Sequence, residues 1–212
     1  MSRGRFIVLE GLDGAGTTTQ CAAIARVFRS EGVEVHVTME PSPGPIGSFI
    51  RQVLTGRVGL PANEGPLTPE TMALLFAADR VDHLAAEIEP ALAQGALVLS
   101  DRYLLSSLAY QGAQVGAEWV AQLNARARKP DLTLFLNVDA EVAAYRRESR
   151  GGRPELYEAA AVQRRTAAAY RKAIALRRKA GERVLVIDGN ASPAAVTGAC
   201  VAAIREVRRR RA

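Results

Sequence analysis

The chain has 212 residues and a formal charge of +6, with 48% hydrophobic and 24% charged side chains, a balance that excludes a disordered or collagen-like polymer and fits an ordinary globular protein. No stretch approaches the ~18 consecutive apolar residues of a membrane span, and two cysteines, Cys21 and Cys200, are too few for a disulfide framework or a cysteine-based zinc site. Met1 to Arg5 run straight into a strand-like segment, leaving no room for a signal peptide, so a cytoplasmic protein with one domain over 1–212 is expected.

Phe6-Ile7-Val8-Leu9 is a compact apolar run that reads as a buried strand ending at Gly11. From Thr18 to Arg29 the residues Ile24, Val27 and Phe28 recur with helical spacing. Between strand and helix lies Gly11-Leu12-Asp13-Gly14-Ala15-Gly16-Thr17-Thr18-Thr19, with glycine at the first and sixth positions. Spacing and context match the phosphate-binding loop, in which glycines let backbone N–H groups turn inward around phosphate oxygens. The helix N-terminus adds partial positive charge. The bland alternative is an ordinary glycine-rich turn. Thr18 stands where the pattern places a Mg²⁺-ligating hydroxyl. Thr17 stands where it places lysine, which reaches the β- and γ-phosphates of a donor nucleotide. No lysine occurs before Lys129, so no neighbour can substitute locally.

Val33–Val37 reads as a second strand, broken by Pro41, Pro43, Gly44 and Pro45. Ile46–Leu54 predicts a short helix, 56–69 a loop, and Pro69–Ala93 a helix with a break or restart at Pro90. Ala96–Ser100 is a third strand. Asp101 follows it, at a strand's carboxyl end where open α/β sheets bind ligands, and is placed to hold Mg²⁺ or its water. Arg102 would face the same phosphates, although an ion pair without chemistry is the alternative. Leu104–Tyr110 and Ala117–Ala127 read as helices, Leu132–Val138 and Val184–Ile187 as strands, and 140–149, 158–180 and 193–207 as helices. Apolar strands alternating with helices predict an α/β fold: a five-stranded parallel sheet covered on both faces.

Residues 1–100 carry 7 basic and 11 acidic side chains, and residues 101–212 carry 21 and 11. The bland reading is solvated helix faces together with the Arg208–Arg211 tail. A basic surface facing an anionic ligand is the sharper reading; arginine suits phosphate, but a GC-rich genome gives the same preference for it over lysine, so the preference alone decides nothing.

Two longer motifs carry a resemblance. Leu75-Phe76-Ala77-Ala78-Asp79-Arg80-Val81-Asp82-His83 resembles the FAADRxxH segment of bacterial thymidylate kinases, and the run from Asp101 to Gly112 resembles their DRYxxSSxAYQG segment. Glu40-Pro41, Pro45-Ile46-Gly47 and Ile50-Arg51 are similar to the family's TREPGGTPIGxxIR, and Ile187-Asp188 falls in register. The resemblance implies the P-loop nucleoside monophosphate kinase fold, a homodimer, and the reaction of ATP with dTMP and Mg²⁺ to give ADP and dTDP. It implies no nucleic-acid or membrane partner.

By position, Gly11 to Thr19 would hold ATP, and Thr18 and Asp101 the metal. Glu40 and Pro41 would flank dTMP. Phe76 would stack on the thymine and Arg80 would donate to its O4, unless Arg80 is merely paired with Asp79 or Asp82. Ser106 or Ser107, with Gln111, would meet the base edge, and Tyr110 would pack on the deoxyribose. Arg51 and Arg102 would clamp the acceptor phosphate. Asp13 would hold the sugar 3′-hydroxyl or orient Arg102. His83 is expected to cap or pack within its helix.

The segment 146–158 corresponds to the family's lid, with Arg146 beside the adenine. Its usual Asp-Arg pair is replaced by Glu155-Leu156, so Arg150 or Arg153 would have to supply the lid cation. Met39 replaces an arginine, and Ser42-Pro43 replaces a Gly-Gly pair. Two other readings follow from these departures and from the arginine-rich half: a catalytically weakened nucleotide-binding relative, separable by a turnover assay, and a nucleic-acid-binding module, separable by steep salt dependence.

Overall fold

The computed structural model describes residues 4–59, 67–149 and 160–209. Arg150 and Arg153, with most of the expected lid, lie outside the described residues.

The apolar run near the N-terminus forms β1 (Arg5–Gly11), buried from Phe6 onward. A strand buried on both faces belongs at the centre of a sheet, and β1 is there. The other strands are β2 (Val35–Met39), β3 (Leu97–Asp101), β4 (Leu132–Asn137) and β5 (Val184–Asp188), in the order β2-β3-β1-β4-β5. All pairings are parallel. Leu9 pairs with Asp101 and Gly11 with Leu136, so the glycine loop and the Asp101-Arg102 corner leave the sheet side by side at its carboxyl edge.

The helices are α1 (Thr17–Ser30), α2 (Pro45–Leu54), α3 (Pro69–His83), α4 (Glu89–Ala93), α5 (Leu104–Tyr110), α6 (Gly112–Val115), α7 (Ala117–Leu123), α8 (Ala140–Glu148), α9 (Ala160–Lys179) and α10 (Pro193–Arg209). α1 packs on α10, and α5 on α9. The main core joins the strands to Ile24, Phe28, Tyr170 and Ile204. A second, smaller cluster of Ile50, Val53 and Met72 ties α2 to α3, with Phe76 half-buried against it.

Several boundaries differ from expectation for local reasons. The second strand begins at Val35, because Gly32 (φ 76°) turns the chain and the Val33 N–H closes α1 on Phe28 O at 3.0 Å. The helix expected over 69–93 leaves α-helical winding for one π-helical turn at Leu84–Ile88. Pro90 then sits in the first turn of α4, where its missing N–H costs little. The helix expected to reach Ala127 ends at Leu123. No helix among the described residues is long and apolar enough to cross a membrane.

Candidate active site

The glycine loop is shaped by its backbone. Gly14 and Gly16 both have φ 91°, a conformation that side chains disfavour. A Cβ on Gly11 would lie 2.7 Å from that of Ala15. α1 starts at Thr17 with no side-chain cap and no acid in its first turn, which leaves its leading N–H groups and positive dipole end suited to an anion. Thr17 is buried at 6% exposure.

The Thr18 hydroxyl donates to Asp101 Oδ2. Asp101 Oδ1 is buried without a hydrogen-bond partner, an arrangement that leaves a carboxylate oxygen for a cation. The described residues contain no group of three or more His, Cys, Asp or Glu able to hold a metal. A divalent ion here would therefore take Thr18 and Asp101 and complete its shell with phosphate oxygens and water, the habit of Mg²⁺. The residues fit that ion.

Beside the loop opens a cleft enclosing about 110 Å³. Its wall is made by Asp13, Arg102, Ser106 and Tyr110, by Phe76, Arg80, Ser107, Gln111 and Leu54, and by Glu40, Pro41 and Tyr103. A cis peptide bond joins Glu40 to Pro41. The proline turn is pinned to α3 by Ser42, whose N–H and hydroxyl both donate to Asp79, at 2.8 and 2.5 Å. Glycine at position 42 would supply only the N–H.

Arg102 is the one non-glycine residue with positive φ, 72°, among the described residues. That conformation costs about 1–3 kcal/mol and persists only where surrounding contacts enforce it. Its Nη2 donates to Asp13 Oδ1 at 2.5 Å, and its Nη1 to Gly11 O (3.0 Å), Ser106 Oγ (3.1 Å) and Tyr170 OH (3.2 Å). Burial works against its charge, but Asp13 and the nearby phenols push its pKa above the ordinary arginine value. Asp13 also accepts from Tyr110 OH (2.8 Å) and Gln163 Nε2 (2.7 Å). Of the two partners expected for Asp13, Arg102 is in contact with it.

Arg80 is 1% exposed. The expected alternative partners Asp79 and Asp82 are corrected: Arg80 Nη2 donates to Glu40 Oε2 at 2.6 Å and to Ser107 Oγ at 3.1 Å, and Nη1 to Asn124 Oδ1 at 2.5 Å. Asp79 is occupied by Ser42. Arg80 Nε and Gln111 Oε1 are buried and unpartnered in the apolar wall, each costing about 1–3 kcal/mol unless a ligand meets it. Ser107 faces Arg80, whereas Ser106 turns away to Glu10 and Arg102.

His83 neither caps nor merely packs in its own helix. Its Nε2 lies 2.7 Å from Thr38 Oγ1 on β2 and 3.3 Å from Glu87. Two other expected residues lie outside the cleft wall. Arg51 donates to Pro41 O at 2.7 Å and to Ser48 Oγ at 3.2 Å, and Arg146 donates to Gly189 O at 3.2 Å, after β5.

Sequence reasoning missed Glu10, Gln163, Tyr170 and Asn124. A carboxylate ending an apolar strand was one available signal. The seven-residue spacing of Gln163 and Tyr170, polar groups on the buried face of a basic helix, was another.

The model of the thymidylate kinase family matches residues 9–199. A thymidylate kinase of Thermomicrobium roseum is 40% identical over 212 aligned residues, covering 97% of this chain and 96% of its own. A probable thymidylate kinase of Pyrobaculum aerophilum is 39% identical, covering 95% and 97%, and one of Pyrococcus abyssi is 39% identical, covering 80% and 82%. A family model over most of the chain and relatives about 40% identical along nearly its whole length, on a parallel sheet with a glycine loop at its carboxyl edge, show that the chain belongs to the thymidylate kinase family.

Proposed function

We propose that the glycine loop holds the ATP phosphates while the cleft holds dTMP, its base between Phe76 and Arg80 and its phosphate towards Arg102. The observation that carries this reading is that Asp13 and Arg102 line the cleft while Arg102 also bonds Gly11 O of the loop, so donor and acceptor sites share one guanidinium. Phosphoryl transfer asks for alignment and charge stabilisation rather than covalent chemistry. Thr18 and Asp101 would hold Mg²⁺, which when bound neutralises charge on the donor phosphates. No general base is required, because the dTMP phosphate is already an anion at neutral pH. Arg51 would assist the phosphate clamp, and one kinase domain with a lid over 146–158 would act in the cytoplasm.

Base choice follows from Arg80, which can only donate. Thymine presents a carbonyl at C4, whereas cytosine presents an amino group. With Phe76 stacked on the base and Tyr110 on the deoxyribose, leaving no room for a 2′-hydroxyl, dTMP should be the best acceptor in a coupled ADP-release assay, dUMP weaker, and dCMP, dGMP and UMP poor. One mispaired hydrogen bond at a buried arginine is worth about 1–3 kcal/mol, roughly 5–150-fold. Equal rates with dCMP and dTMP would reject this placement of the base.

Thr17 bears on a second reading, a weakened kinase. We propose that a lid arginine, Arg150 or Arg153, supplies the missing cation. Thr17→Lys should then leave kcat flat or lower it, since the new ammonium meets a like charge. A gain of roughly 10–150-fold, the worth of one charged hydrogen bond, would instead identify an uncompensated deficit.

We also propose a two-fold homodimer. Five of the eight large hydrophobics exposed among the described residues, Val37, Met39, Phe49, Leu74 and Val81, belong to β2, α2 and α3, and burying such a face against its copy is the common solution. Light scattering should report twice the 22.7 kDa chain mass.

A further inference from the structure

Glu10 is fully buried at the carboxyl end of β1, and phosphoryl transfer as derived above makes no use of it. It is nonetheless richly bonded. Oε1 accepts the backbone N–H groups of Tyr103 (2.9 Å) and Ser106 (3.1 Å), and Oε2 accepts the hydroxyls of Ser106 (2.6 Å) and Tyr170 (3.2 Å). Both hydroxyls in turn accept from Arg102 Nη1. The two backbone donors flank the first turn of α5, directly after the left-handed corner at Arg102.

We propose that Glu10 is the positioning residue of Arg102: its carboxylate fixes the strained corner from behind and orients the Ser106 and Tyr170 hydroxyls so that their lone pairs face the guanidinium. The proposal rests on the reading of Arg102 as the shared phosphate clamp. A carboxylate suits this place because it only accepts: the Ser106 hydroxyl donates to Oε2 at 2.6 Å, and the Tyr170 hydroxyl shares its proton between Oε2 (3.2 Å) and Gly11 O (3.1 Å). If position 10 offers a donor there instead, the Ser106 hydroxyl must accept from it, and its own proton is left to compete with the N–H groups of Arg102 and the Tyr170 hydroxyl. Donor then faces donor, and the guanidinium loses its seat.

The cost of the arrangement supports a functional role. Burial, outweighing the favourable Ser106, Arg102 and Tyr170 contacts, raises the pKa of Glu10 to about 7. The charged and titratable groups facing it are Arg102 from the β3–α5 corner and Tyr170 from α9, with Asp13 and Tyr110 behind them. Folding raises this pKa, so ionised Glu10 lowers stability as pH rises from its unfolded value through about 7.

The experiment compares wild type with Glu10→Gln in kcat, pH profile and Tm. Wild-type kcat should fall on the acid side with a midpoint near 7. Glu10→Gln should lower kcat at alkaline pH by roughly 10–100-fold, the usual cost of losing a supporting shell or misplacing a catalytic group. Its profile should lack that acid limb between about pH 6 and about pH 8. Both enzymes share one substrate, so the titration of dTMP itself cancels between the profiles. At alkaline pH the Tm of Glu10→Gln should stay within a few degrees of wild type, because relief of a desolvated charge offsets the mispaired donor, so the loss of kcat is not a loss of fold. Tyr170→Phe keeps the ring packing on Phe135 but deletes one bridge, and should lower kcat severalfold. Wild-type kcat and pH profile in Glu10→Gln, or a Tm that falls together with kcat, overturns the proposal. Arg102→Ala serves as the reference: if it too retains activity, the clamp reading fails and takes the proposal with it. If Arg102→Ala is inactive while Glu10→Gln is normal, only the proposal fails.

Discussion

Arg102→Ala should lower kcat by at least about 10²-fold, with kcat/KM falling at least as far, because charge-assisted contacts to a moving phosphoryl group matter most in the transition state. Five contacts fix this guanidinium: Asp13, Gly11 O, Ser106, Tyr170 and, at 5.6 Å, the face of the Tyr110 ring. Arg102→Gly separates side chain from backbone. Glycine relieves the positive φ that alanine retains, so Arg102→Gly should be the more stable of the two and equally inactive. Arg208→Ala, which removes a guanidinium stacked 5.5 Å over Phe28 at the end of α10, should leave turnover unchanged. Equal, small losses for Arg102→Ala and Arg208→Ala in single-turnover measurements would make Arg102 a structural residue.

The parts legible in the sequence were those that local chemistry dictates. Gly11, Gly14 and Gly16 announce the loop because only glycine tolerates its turn and close approach, and the apolar period of β1, β3 and β4 announces a sheet covered on both faces. What stayed hidden is partner choice across long separations. Arg80 has acids one position before and two positions after it, yet it pairs with Glu40, 40 residues away. Asp79 is already taken by the Ser42 turn, and Asp82 does not enter the Arg80 network. Ser106 and Ser107 are indistinguishable as neighbours, but on the short helix α5 they point to different elements, one to Glu10 and one to Arg80. Glu10 looked like the last residue of a strand. Its four donors come from a strand–helix corner and from α9, some 90 to 160 residues away, and no period within a window reveals them.

Asp101→Asn should cost roughly 10²–10³ in kcat, the scale set by removing one preorganised electrostatic group from a water-poor site. The carboxylate closes β3 with Oδ2 accepting from the Thr18 hydroxyl and Oδ1 buried and unpartnered. That pairing couples the start of α1 to the sheet edge and leaves one anionic oxygen for a cation. Asparagine preserves the shape and one acceptor oxygen, so Thr18 can keep its bond and the fold should hold. The lost quantity is charge, and the amide N–H₂ is a donor wherever it replaces the oxygen that would meet the ion. The loss should therefore appear chiefly as a weaker response to Mg²⁺. Titrating Mg²⁺ at saturating ATP and dTMP should move the half-saturating concentration upward by about tenfold or more, with dTMP affinity in the absence of metal unchanged. Thr18→Ala should move the same midpoint less, since a neutral hydroxyl contributes less than a carboxylate to a hard cation. Should Asp101→Asn retain the wild-type Mg²⁺ midpoint, Asp101 would be an anchor for Thr18 rather than a metal ligand, and the orphaned Oδ1 would have to be satisfied by water alone.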